Sequence, residues 1–277
     1  MAIVPLAFFG DVVGAPGRSV FSRAVKELKA KHSGLRVVVN GENCKNGSGL
    51  HPEGYRDLRA AGADAITLGD HCFKDTRIWP YLDDPKEPVA RPANLAAGAK
   101  GKLFSRVSLG DAANGGKPGL YVVTVLGRLF MSLPANDPFA TVDRVVSEIE
   151  AAEGGGDSAL VLVEIHAEAS SEKIAMAWHC LRRWPRRVIA VVGTHTHVQT
   201  ADARLLEQRM AAMTDVGFCG GHGGVIGRTW ESVLHVMTVQ NPVSMEVCDT
   251  EPQADGCVIL IDTEARAARG IEPFQFR

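Results

Sequence analysis

The chain is 277 residues long, 45% hydrophobic and 22% charged, with 30 basic against 32 acidic residues and a net charge of −2. That balance belongs to a globular chain long enough to bury a core without disulfide staples, and it excludes a largely disordered protein and a strongly basic nucleic-acid binder. No apolar run reaches the ~18 residues of a membrane-spanning helix.

In chain order, short apolar runs alternate with helical patterns. Leu6–Phe9 ends at Gly10-Asp11, Val37–Val39 at Asn40-Gly41-Glu42-Asn43, and Ala65–Leu68 at Gly69-Asp70-His71. Ala159–Val163 precedes His166, and Val188–Val192 precedes Gly193-Thr194-His195. Runs this short, closed by glycine or polar residues, predict buried strands. Between them Arg18–Lys31 (with Ser19 as a cap), Pro52–Ala61, Pro138–Glu153 and Ser170–Arg183 have helical spacing. The alternation predicts an α/β architecture with parallel strands, in one domain over residues 1–277. Gly154-Gly155-Gly156 and the Gly220–Gly224 stretch predict loops. Toward the C-terminus, Val233–Gln240, Val243–Cys248 and Gly256–Ile261 predict an antiparallel portion, with turns at Asn241-Pro242 and Ala254-Asp255-Gly256.

The polar residues that close these strands form a set. In an open α/β sheet, ligands bind beyond the carboxyl ends of the strands. Asp11, Glu42, Asn43, Asp70, His166, His195 and His197 all fall there. Each alone has a bland reading: Asp11 and Asn43 as turn residues, His166 as a satisfied buried histidine. Together they are carboxylates, an amide and imidazoles suited to divalent metal, and too many for one tetrahedral ion. Two ions about 3.5–4 Å apart, sharing a bridging carboxylate and hydroxide, would use them all. Oxygen and nitrogen donors without thiolate suit iron, manganese or zinc. If the chain stays extended after residue 194, His195 and His197 point to one face.

These strings, Gly10-Asp11-Val12-Val13-Gly14, Asn40-Gly41-Glu42-Asn43, Gly69-Asp70-His71, His166-Ala167-Glu168 and Gly193–Thr200, resemble those of the bacterial 2′,3′-cyclic-nucleotide phosphodiesterases, within the calcineurin-like metallophosphoesterase superfamily. The resemblance covers nearly the whole chain. It implies a four-layer α/β/β/α sandwich with a dinuclear centre at the strand ends, often occupied by iron; in this chain an Fe2+/Fe3+ pair would offset the added negative charge of Asp70. Asp11, Asn43 and His197 would hold one ion, Asp70, His166 and His195 the other, and Glu42 would bridge. His71 would give a proton to the leaving oxygen. One position departs: the family usually has Asn before that histidine, where this chain has Asp70.

The resemblance implies hydrolysis of a cyclic-nucleotide diester. Two rivals stand beside it: a nucleotide phosphomonoesterase, and a regulatory metal-binding, RNA-associated module with weak hydrolase activity. Stable nucleic-acid binding is not indicated, since Arg182, Arg183, Arg186 and Arg187 read as a solvated face. Asp215 and Thr194 are candidates to orient the histidines, although Asp215 also reads as a turn residue; Glu168 and Glu172 read as structural. No aromatic cluster marks a base-stacking platform. With no export signal and no CxxC pair, the six cysteines read as reduced thiols of a cytoplasmic protein. A homo-oligomer is a base-rate expectation only.

Overall fold

The computed structural model describes residues 3–110, 118–154 and 159–277. Two sheets carry the fold. The first has the order β2-β11-β12-β1-β3-β4, with β13 also paired to β12. Its strands are β1 (Ile3–Phe9), β2 (Asp11–Val12), β3 (Arg36–Asn40), β4 (Ala65–Thr67), β11 (Phe218–Gly221), β12 (Pro252–Asp262) and β13 (Ala267–Phe276). The second has the order β5-β6-β7-β8-β10-β9. Its strands are β5 (Phe104–Ser108), β6 (Gly119–Leu126), β7 (Ala159–His166), β8 (Val188–Thr194), β9 (Arg204–Leu206) and β10 (Met210–Met213). The inner pairs β1/β3, β3/β4, β6/β7 and β7/β8 are parallel, as the alternating pattern predicts.

Burial on both faces explains why these strands read as unbroken apolar runs. Successive side chains of one strand enter different cores. Leu6, Phe8 and Val38 of the first sheet meet Leu160, Leu162, Ile189 and Val192 of the second in a central layer. Their neighbours Ala7, Phe9, Val37 and Val39 face outward onto Val20, Phe21, Ala24 and Val25 of α1 (Gly14–Lys31) and Leu58 of α2 (Pro52–Ala61). On the far side, Val161 and Val163 meet Val142, Val145, Val146 and Ile149 of α4 (Pro138–Ala152) and Met176, Ala177 and Cys180 of α5 (Ser170–Arg183). The result is the four-layer α/β/β/α sandwich. The remaining helices are α3 (Trp79–Asp83) and α6 (Trp230–Val239).

Five expectations need correction. Helix α1 starts at Gly14 and not Arg18, and its cap position is Val13, so Ser19 lies inside the helix. The glycines and Pro16 hid the first turn, where proline is tolerated. Val233–Gln240 lies largely in α6, which Gln240 closes at φ 63°. A short apolar run does not separate strand from helix, and with Leu234, Met237 and Val239 exposed there was no burial period to read. Val243–Cys248 forms no strand beyond one bridge between Arg228 and Val247. Ala254-Asp255-Gly256 is no turn but part of β12, antiparallel to β1, β11 and β13. Gly220 and Gly221 belong to β11, while Gly155 and Gly156 lie outside the described residues. Among the described residues no helix is long and apolar enough to cross a membrane.

Candidate metal centre

The carboxyl ends of β1, β3 and β4 in one sheet and β7 and β8 in the other open onto the same point. Asp11 follows Gly10, where any Cβ would stand 1.8 Å from the carbonyl oxygen of Gly217. Only glycine lets the chain turn there. Phe9, just before it, is locked edge-on against Phe21 and Phe274, with centroids 4.8 and 5.0 Å away. Glu42 and Asn43 leave β3, and Asp70 and His71 leave β4 after Gly69. A Cβ on Gly69 would lie 2.2 Å from His166 Nε2 and 2.4 Å from a Glu42 oxygen. That backbone is bare where the ligand atoms need room.

All seven proposed ligands and His71 converge. Asp70 Oδ1, His166 Nε2 and His195 Nδ1 lie 3.0, 3.1 and 3.5 Å apart. Glu42 Oε1 is 3.4 Å from His166 Nε2 and 3.6 Å from His71 Nδ1. His197 Nε2 is 3.3 Å from the Asn43 amide nitrogen and 3.8 Å from Asp11 Oδ1. Asp11 is fully buried, yet Oδ1 has no hydrogen-bond partner. A buried carboxylate oxygen without a partner, facing imidazole nitrogens and a second buried carboxylate, fits cations better than it fits the protein alone. Asn43 presents its amide nitrogen to Glu42 and His197, and its oxygen accepts from His71 Nδ1 at 2.7 Å. To bind an ion, the amide must turn its oxygen inward.

Each histidine is aimed by what holds its other nitrogen, the arrangement typical of metal ligands. His166 Nδ1 donates to Thr194 Oγ1 at 2.9 Å, and that hydroxyl donates to Glu164 Oε1 at 2.7 Å. His197 Nδ1 donates to the Ile226 carbonyl at 3.0 Å, and its ring stacks on Phe218. His195 Nε2 is 3.4 Å from Glu168 Oε2. His195 and His197 do not share one face of an extended chain. Their φ angles are 97° and 59°, so the backbone turns between them and sends one ring toward Asp70 and the other toward Asn43. Asp215 fixes that turn: its Oδ2 accepts from the Thr196 amide and hydroxyl and from buried Lys173 at 2.7 Å. It is a turn residue as well, since its Oδ1 accepts from the Gly217 amide at 2.9 Å.

Electrostatics follow from this crowding. Burial pushes Asp11 toward its neutral acid, but His197, His166 and His195 win and hold it at about 2. Burial also opposes the His166 imidazolium, but Glu42, Asp70 and Asp11 raise that ring well above its ordinary value. Protons on imidazole here supply the positive charge that ions would otherwise bring, so metal binding releases protons.

Sequence reasoning missed three residues. Glu164 is wholly buried in β7 and accepts from Asn40 Nδ2 across the two sheets at 2.8 Å, from Thr194 and from Thr124. Asn40 Oδ1 in turn accepts from the Glu42 amide. One carboxylate thereby steadies ligands on both sheets. Its lone place in the run Leu160–Ile165 was the available signal: a charge amid apolar strand residues. Lys173 carried no pattern of its own, and Glu168, although part of the His166-Ala167-Glu168 string, read as structural, because their partners are set by the fold.

A two-sheet α/β/β/α sandwich with carboxylate, amide and imidazole donors meeting at its strand ends defines a metallophosphoesterase-type fold. A 5′-nucleotidase from Candida albicans shares the fold at a TM-score of 0.55, with 11% identity over 98% of this chain and 50% of that one. The chain belongs to the YmdB-like protein family, whose model matches residues 7–274. It is 38% identical to a 2′,3′-cyclic-nucleotide 2′-phosphodiesterase of Bacillus subtilis (strain 168), over 96% of this chain and 95% of that protein. Two crystal structures are similar throughout. A hypothetical protein from Thermus thermophilus has a TM-score of 0.85 and 34% identity, covering 99% of both chains. A Mycoplasma pneumoniae phosphatase has 0.86 and 27%, covering 100% of this chain and 94% of that one.

Proposed function

We propose that this protein is a dinuclear metal-dependent phosphodiesterase that opens 2′,3′-cyclic nucleotides. The observation that carries the reading is the meeting of Asp11, Glu42, Asn43, Asp70, His166, His195 and His197 around one point, with His71 beside it. The name of the Bacillus subtilis relative supports the substrate class. Asp11, Asn43 and His197 would hold one ion, Asp70, His166 and His195 the second, with Glu42 between. Ions bound there would lower the pKa of a water that serves as nucleophile and would supply positive charge for the phosphate oxygens. Iron suits the donors, with manganese or zinc as alternatives.

The chain's own acid is His71. Its Nδ1 faces Asn43 and Glu42, at 2.7 and 3.6 Å, on the side of the ligands, which leaves Nε2 as the nitrogen that would carry a proton to the departing sugar oxygen. Such acid catalysis contributes about 10²–10⁴-fold. Turnover of 2′,3′-cyclic AMP, 3′,5′-cyclic AMP and 5′-AMP, beside elemental analysis of anaerobically purified protein, tests the reading. Hydrolysis of the first, abolished by His195→Ala, is expected; preference for 5′-AMP would make the protein a phosphomonoesterase. His71→Ala should lose about 10²–10⁴-fold in rate and keep its metal. Loss of metal in that variant would make His71 a ligand instead. All six cysteines are free and buried, which suits the cytoplasm.

A further inference from the structure

In-line displacement at phosphorus puts the leaving oxygen opposite the attacking one. The ribose that bears this oxygen therefore lies where the proton donor stands. On the phosphodiesterase reading that donor is His71, and the surface beside it is not flat. His71 and Asp70 open into a cavity of about 330 Å³ whose other walls are Phe73, Lys74, Ser132 and Leu133. Known small-molecule sites begin at about this size, with apolar walls and a few polar groups.

Two loops build the cavity, and both are held in place. The one after β4 carries Phe73, whose ring is packed edge-on against Trp79 at 6.3 Å and 83°. The one after β6 carries Ser132 and Leu133. The Glu172 carboxylate on α5 ties this loop down, accepting from the Arg128 amide at 3.0 Å and the Leu129 amide at 3.1 Å. The same loop holds Phe130 at φ 63° and 86% exposed. A bulky residue in the left-handed region is rare, and such strain gathers at ligand clamps.

We propose that this cavity is the nucleoside subsite. The base lies against Phe73 and Leu133, and Lys74 and Ser132 address its polar edge and the sugar. The inference rests on the phosphodiesterase reading, because the position of the sugar follows from the role of His71. A rival cavity of about 300 Å³ opens on the other flank, lined by His197, Phe218, His222, Gln253 and Asp255 among others. His71 is not in its wall. Its one phenyl ring, Phe218, is buried and already stacked with His197 at 5.1 Å and with His222 at 4.1 Å.

The test compares a substrate that has a base with one that lacks it. Phe73→Leu keeps apolar volume and removes the π face; Gln253→Ala probes the rival flank. For each variant, kcat/KM is measured for 2′,3′-cyclic AMP and for glycerol 1,2-cyclic phosphate, and binding of adenosine 3′-phosphate to the metal-loaded protein is measured by calorimetry. Phe73→Leu should lower the ratio of the two kcat/KM values about tenfold, through KM, and weaken adenosine 3′-phosphate about as much. Gln253→Ala should leave the ratio alone. Equal losses on both substrates, or a ratio that moves with Gln253 and not with Phe73, would overturn the subsite. If the wild type opens neither cyclic phosphate, the phosphodiesterase reading fails. Calorimetry then judges the cavity: binding that survives Phe73→Leu counts against it, and binding lost counts for it.

Discussion

Asp70 sets the charge of the centre. Its Oδ1 is 3.0 Å from His166 Nε2 and 3.5 Å from His195 Nδ1, and its other oxygen is 3.9 Å from His71 Nε2. Burial works against its charge, but hydrogen bonds from His166 and His195 hold the carboxyl well below the usual range. The resemblance read from the sequence implies a neutral amide there. With Asp11 and Glu42, Asp70 brings three negative charges where an amide would leave two, so two divalent ions held here would keep less positive charge to attract a phosphodiester anion. We expect Asp70→Asn to hold its metal less tightly and turn over faster with divalent ions, as read by metal content and kcat. Both values unchanged would show that this charge has no bearing on the chemistry. Most of the site was legible at this scale because each ligand closes an apolar run. Glu164 and Lys173 were not, because a buried polar residue reveals its role only through a partner, and theirs lie at Asn40 and Asp215.

At the scale of elements, the turn after β8 depends on a buried ion pair. Lys173 Nζ of α5 and Asp215 Oδ2 are 2.7 Å apart, and both side chains are 1% exposed. Removing one partner strands the other charge in the interior. Lys173→Met should destabilise the protein by about 3–5 kcal/mol, measured as a lower denaturant midpoint at unchanged slope. It should also loosen metal binding, since Asp215 holds Thr196 between His195 and His197. A midpoint within about 0.5 kcal/mol of wild type would mean that Asp215 is satisfied without the lysine. Helices with a buried face were readable from spacing, as α2, α4 and α5 show. The failures share a cause. In α6 only Val233 is buried, so its apolar residues mark no face, and the ends of α1 and β12 depend on partners distant in sequence.

For the whole molecule, the proposed ligands come from both sheets, so bound ions would clasp the two halves of the sandwich together. Ligand at about a thousandfold over its dissociation constant adds about 4 kcal/mol of stability. Chelation should lower the unfolding temperature by roughly 5–10 °C, seen by calorimetry, and restored metal should reverse it. A second pH-linked contribution lies outside the centre. Burial pushes Asp255 up to about 6, against the pull of Gln253. Folding takes up a proton there between the ordinary carboxyl value and about pH 6, so stability falls as pH rises through that window. In chelated protein, Asp255→Asn should flatten this part of the pH–stability curve measured by urea unfolding. A curve parallel to wild type would place the titration elsewhere.

The place of β12 has a consequence for how the enzyme is made. It is hydrogen-bonded to β1 along one edge and to β13 along the other, although well over two hundred residues separate β1 from β12 in the chain. A nascent chain therefore carries β1 with a bare edge, and the cradle around Asp11 stays open until β12 has been made. Ions would then be captured only after β12 has docked. Chains cut short before Pro252 would expose that sticky edge and clump before they could take up metal.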